Sequence, residues 1–172
     1  MGLVLLFAEA KAQETHTLNS SKITYSGYHV AHNWTGVSEE AAKGLLTASN
    51  GALQRIAITV PLSSFDSNSS NRDSNALRVL NAILHPEVRF YSEQIEQIDD
   101  KTVELFGFFE LNGIQENYRL KLRLIRESDQ IHLLGDFKVN LSDFDLKLPR
   151  FLFKPVEDEI DLSVDLKFKQ NL

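Results

Sequence analysis

The chain contains no cysteine, which excludes disulfides and thiolate metal sites. It has no run rich in Lys or Arg. Its 18 basic residues are interspersed among 24 acidic ones, for a net charge of −6, so the electrostatic footprint of a nucleic-acid-binding protein is missing. No apolar run is long enough to span a membrane as a helix. No Gly-x-Ser-x-Gly nucleophile elbow occurs, and no long-period internal repeat is visible. There is one Trp against 11 Phe. Phe carries no polar handle, which suits a dry core or an apolar pocket. A length of 172 residues suits one domain, with or without a short N-terminal extension.

The first residues read "MGLVLLFAEAKAQ". Leu3 to Ala8 is apolar, and Ala10-Lys11-Ala12 has the small-x-small form of a cleavage site, so residues 1–17 are read as a residual secretory signal or N-terminal extension. A disordered or helical N-terminal arm is the competing reading. The domain proper is placed at residues 18–172.

What the chain does have is alternation. In "EIDLSVDLKFK", Ile160, Leu162, Val164, Leu166 and Phe168 share one face. "YRLKLRL" puts Tyr118, Leu120, Leu122 and Leu124 in and Arg119, Lys121 and Arg123 out. "IHLLGDFKVNL", "VELFGFFEL" and "RIAITVPL" follow the same period of two, which predicts strands with one buried and one wet face. Asn112-Gly113 predicts a type I′ turn joining Thr102–Leu111 to Ile114–Arg126, and Ser128-Asp129 a turn to the next strand. "KITYSGYHV", "KGLLTAS" and "VRFYSEQIEQI" are further strand candidates, bringing the count to about eight. One short helix interrupts them. Asp73 or Ser74 is the expected cap, Leu77, Leu80 and Leu84 the apolar face, and Pro86 the stop. Such strands form a two-sheet sandwich or a closed barrel. A barrel of long strands can enclose an apolar channel, although periodicity alone favours side chains that fill the core.

The candidates for chemistry are thin. Asp66-x-Asn68-x-Ser70 opens like a calcium loop, but Asn71 and Leu77 stand where that loop needs Gly and a bidentate Glu. His29-x-x-His32 offers two ring nitrogens, and His16, His85 and His132 are scattered, so no metal site is expected. Carboxylate pairs such as Asp99-Asp100 read as solvated turns, and no catalytic residue is assigned. The polar run "FDSNSSNRD", Phe65 to Asp73, reads as Asx-turns and a helix start.

Four segments together carry a resemblance. They are "YHVAHNWTGVS" (Tyr28–Ser38), "SSFDSNSSNRDSNALRVLNAILHPEVRFYS" (Ser63–Ser92), "GFFELNGI" (Gly107–Ile114) and the stretch from "GDFKVNL" to "DLKF" (Gly135–Phe168). They resemble the YceI-like family, exported bacterial proteins with a lipocalin-like barrel that bind polyisoprenoid lipids. The middle segment is the most specific: a Ser-x-Asp-Ser/Thr-type element, then Arg72-Asp73, a short helix ending at a Pro, and a strand containing Phe. The chain departs from the family at His29-Val30-Ala31-His32, where many members have His-Pro-x-His, and at "NAILHP", where others carry two Phe and an Asp.

The resemblance implies an all-β fold, an eight-stranded antiparallel lipocalin-like barrel with one short α-helix, exported to the bacterial periplasm. It implies a hollow lumen, no enzymatic activity, and no cofactor beyond a bound isoprenoid-type lipid. The expected partner is that amphiphilic lipid, with no nucleic acid and no membrane span; a homodimer is admitted. Lumen candidates from alternation are Ile58, Val60, Phe90, Leu105, Phe109, Leu122, Phe137, Val139, Leu162 and Val164. Polar rim candidates are His32, Asp66, Arg72 and Asp73. The rival readings are a filled-core barrel acting through its surface and a hydrolase or lyase on a hydrophobic substrate. Facing can be tested directly. Leu122→Asp is expected to abolish folding or lipid retention and Lys121→Asp to be mild in thermal unfolding; equal effects overturn the assignment.

Overall fold

A computed structural model describes residues 13–151 and 154–171. The alternating segments are strands, and their inward faces make one wall. In chain order the elements are β1 (Gln13–His29), β2 (His32–Glu39), β3 (Lys43–Ser49), β4 (Ala52–Pro61), α1 (Ser70–Val79), β5 (Glu87–Asp99), β6 (Thr102–Leu111), β7 (Ile114–Arg126), β8 (Gln130–Asn140), β9 (Arg150–Phe151), β10 (Lys154–Pro155) and β11 (Glu159–Gln170). Single 3₁₀ turns follow β4 and β8.

Every pairing is antiparallel, and β1 closes the ring by pairing with β11. The other edge of β1 is shared: Lys22–His29 pairs with β2, and Gln13–Thr17 pairs with β3. β2 and β3 therefore make one return strand broken at residues 40–42, where Glu40 takes a φ of 56°. Counted that way, the barrel has eight staves. β1 starts at Gln13, so the expected boundary between residues 17 and 18 falls inside a barrel strand. The signal reading of residues 1–12 lies outside the described residues.

The inward faces follow the alternation. Leu120, Leu122 and Leu124 are buried on β7 while Arg119, Lys121 and Arg123 are exposed. Bulges reset the phase in three strands. In β4, between Leu53 and Arg55, the buried set switches from Leu53 to Ile56, Ile58 and Val60. Between Leu18 and Ser20 the buried set of β1 switches from His16 and Leu18 to Ser21, Ile23 and Tyr25. Between Ser92 and Gln94 the inward set of β5 switches from Phe90 and Ser92 to Ile95. Two seams are only partly laddered. β4 and β5 pair over Ile56–Pro61 and Glu87–Ser92. β7 and β8 pair only over Arg123–Arg126 and Ile131–Leu134. Nearer α1, an aromatic cluster sits beside them: Phe109 lies 5.4 Å from Tyr118, 6.3 Å from Phe137 and 5.7 Å from Phe144, ring to ring.

Helix α1 differs from its expectation at both ends. Ser69 is the N-cap, and Asp73 lies inside the first turn. The helix stops at Val79 because Asn81 adopts the left-handed conformation (φ 54°), well before Pro86. Leu77 and Leu80 pack on the core, but Leu84 points to solvent. The Asn81 amide donates to Asn112 Oδ1 at 3.2 Å, and the Asn112 amide donates to the Phe144 carbonyl at 3.0 Å. Asn112 itself has a φ of 52° in the β6–β7 turn. One side chain thus ties three connections together at one end of the barrel. Asn112→Ala is expected to cost about 2 kcal/mol in urea unfolding, from two lost hydrogen bonds and left-handed strain. Asn112→Gly relieves the strain and recovers part of that loss.

Candidate functional site

The barrel encloses an apolar cavity of ≈ 710 Å³, within the usual range of small-molecule sites. It does not run the full length. Leu46, Val103, Leu124, Leu133 and Phe168 are almost wholly buried, lie toward the end away from α1, and take no part in the cavity wall. The filled core and the hollow lumen, rivals in the sequence, are two halves of one barrel. The ten candidates chosen by alternation, Ile58, Val60, Phe90, Leu105, Phe109, Leu122, Phe137, Val139, Leu162 and Val164, all line the cavity. Ile23, Tyr25, Trp34, Ile56, Leu120, Ile160 and Leu166 join them without having been singled out. Leu120, Ile160 and Leu166 share the inward phase of residues that were. Trp34 had no such signal, because "HNWTGVSE" shows little alternation.

Polarity is confined to the mouth. The charged residues of the wall are Arg72, Asp73, Arg78, Arg89 and Arg150, which belong to α1, the start of β5 and β9. Arg89 is held by Glu87 at 2.8 Å and Glu110 at 3.3 Å. The β1–β2 hairpin brings in its aromatics through close approach to glycine. Tyr25 lies opposite Gly36, and Trp34 opposite Gly27. A Cβ on Gly36 would sit 2.2 Å from the Tyr25 ring, and one on Gly27 would sit 2.5 Å from Trp34. Bare glycine lets each ring lie across its partner strand. Tyr25 also meets Phe65 edge-on at 5.7 Å. Burial, and then the Asp73 charge, hold the Tyr25 phenol above its ordinary pKa.

The polar run from Phe65 to Asp73 proves architectural. Asp66 exchanges two backbone hydrogen bonds with Val37, both 2.9 Å, and so extends the sheet along β2 where β4 has ended. Its carboxylate accepts from the Asn68 amide at 2.7 Å, an Asx-turn that supports Asn68 at a φ of 58°. The Asp73 carboxylate reaches back to the Ser67 amide (3.2 Å) and hydroxyl (2.6 Å). Arg72 donates to the Ser67 carbonyl at 3.2 Å and lies 6.0 Å over the Trp34 ring. Of the four rim candidates, His32, Arg72 and Asp73 reach the cavity, and Asp66 does not.

His29 and His32 face each other across the hairpin, with rings 6.0 Å apart. His29 Nδ1 accepts from the Ala31 amide at 3.2 Å, and Nε2 lies 3.4 Å from the Lys154 carbonyl, an arrangement that suits the Nε2-protonated tautomer. Among the described residues no group of three His, Asp or Glu side chains converges as metal ligands. The arrangement suits the holding of an apolar ligand with polar groups near the opening.

The sequence pattern of the YceI-like domain matches residues 15–168. The chain belongs to the YceI-like family. Its closed barrel is shared with solved structures of low identity. One is BcnA of Burkholderia cenocepacia: TM-score 0.76, 14% identity, covering 86% of this chain and 95% of that one. A second is a polyisoprenoid binding domain from Saccharophagus degradans implicated in plant cell wall breakdown: TM-score 0.71, 10% identity, covering 91% and 98%. A third is the YCEI protein of Campylobacter jejuni: TM-score 0.62, 14% identity, covering 100% and 92%. No curated protein sequence matches the chain. In this YceI-like chain Arg72 and Asp73 fasten the loop that seats α1. Asp73→Ala is accordingly expected to destabilise the fold by about 1–2 kcal/mol in chemical denaturation, and an unchanged midpoint overturns the role.

Proposed function

We propose that the protein binds a long-chain amphiphile of the isoprenoid class, with the chain in the barrel and the polar end at the mouth beside Arg72 and the histidines. The observation that carries this reading is the cavity of ≈ 710 Å³, whose charged lining residues are all near one end. Each buried methylene contributes about 0.8 kcal/mol, so a dozen carbons contribute on the order of 10 kcal/mol, enough to offset immobilising the ligand. Two further points support the class: membership of the YceI-like family, and the fold shared with the Saccharophagus degradans polyisoprenoid binding domain. Its place of action is proposed to be the bacterial periplasm, on the strength of the apolar and small-x-small pattern in residues 3–12.

Native mass spectrometry of the freshly purified protein, followed by organic extraction, tests the reading. The expected result is a bound species that extracts as a long isoprenoid. Val164→Trp, which places a large ring in the lumen, is expected to lower uptake of added polyprenol at least about tenfold while leaving the circular dichroism spectrum unchanged. An apo mass with no uptake by the wild type turns the assignment toward a surface-acting barrel.

A further inference from the structure

The three most exposed large apolar side chains among the described residues are Ile83 (96%), Leu84 (71%) and Val30 (69%). All three stand at the mouth end. Val30 is at the tip of the β1–β2 hairpin, between His29 and His32, which line the cavity. Ile83 and Leu84 lie in the turn that follows α1, beyond Val79 and Leu80, which also line it. Isolated exposed apolar residues are ordinary on a protein surface, but a set gathered at the entrance of an apolar cavity marks a surface that meets an apolar partner. Two guanidinium groups beside them lack a carboxylate salt bridge among the described residues. Arg72 and Arg78 of the lining donate to neutral oxygens, the Ser67 carbonyl and Asn75 Oδ1, whereas Arg89 is paired with Glu87 and Glu110. Apolar loop tips beside guanidinium groups match the layered chemistry of a phospholipid surface, acyl chains beneath phosphates.

We infer that the mouth end docks on a phospholipid bilayer, with Val30, Ile83 and Leu84 entering the acyl layer and the mouth arginines at the level of the phosphates. The inference rests on the ligand reading above, since a chain that is insoluble in water must pass between the barrel and a membrane without crossing the solvent. Docking at the mouth joins the two apolar phases directly.

The test is co-sedimentation of the full chain with sucrose-loaded vesicles of phosphatidylethanolamine and phosphatidylglycerol. The wild type is expected to sediment, and the Ile83→Glu/Leu84→Glu double variant to partition at least about tenfold less, since burying one such side chain contributes more than a tenfold factor. Ile98→Glu, a similar substitution of an exposed residue at the other end of β5, is expected to sediment like the wild type. Uptake of a polyprenol delivered from cyclodextrin is measured separately and should be equal in all three, which separates docking from ligand binding and shows that the variants are folded. Wild type that stays in the supernatant, or an equal loss in Ile98→Glu, overturns the inference. So does a shift from dimer to monomer in the double variant alone without vesicle binding by the wild type, which would assign the patch to a second copy of the chain. Vesicle binding without polyprenol uptake would leave the docking intact and remove the ligand reading.

Discussion

The pairing of β1 with β11 is the constraint on which the rest depends. It joins the first described strand to the last, over His16–Ser26 and Asp161–Gln170, and turns an open sheet into a ring. Without it both strands would present unpaired backbone edges, and the inward side chains would face solvent instead of a lumen. Closure also fixes the reach of the chain. Because β1 must serve β11 on one edge and two successive segments on the other, it is the longest strand, at 17 residues. The bulge between Leu18 and Ser20 lets this strand change its inward phase part-way along its length.

The mouth follows from the same geometry. β3 pairs with β4, but β2 extends beyond the end of β4, and the edge it leaves is taken up by Asp66. From there α1 crosses toward the β6–β7 turn and is fastened at its far end by Asn81 and Asn112. The polar residues of the mouth are therefore there first for structural reasons. Arg72 and Asp73 hold a loop in place, and because they do so beside the opening they also give it polarity. The tyrosine and tryptophan of the β1–β2 hairpin owe their positions to the glycines opposite them.

Much of the barrel was legible because its later strands are one-sided. In β6, β7, β8 and β11 the ladder registers of β6–β7 and β8–β11 carry no bulge and the Asn112-Gly113 turn sets the first of them, so the inward face of Leu105, Leu122, Val139 and Leu162 could be read from the period of two. The earlier strands were harder for physical reasons. Bulges in β1, β4 and β5 break the period, and β2 carries few apolar residues. The helix was read as too long because proline is the stronger written stop, while Asn81 ends the helix by its backbone conformation. What alternation does not encode is depth. Leu133 and Val139 share one face of one strand; the first packs solid and the second borders a void, and the difference lies in which side chains from other strands meet them.

The short ladder between β7 and β8 has a mechanical consequence. Where the ladders are complete, any increase in girth must break backbone hydrogen bonds, each of which leaves a donor and an acceptor to be satisfied elsewhere. Beside the β7–β8 gap lie the rings of Phe109, Tyr118, Phe137 and Phe144, whose contacts can slide without an all-or-none loss. Widening the barrel there displaces ring contacts rather than ladder hydrogen bonds, so this seam is a place where the wall yields at low cost.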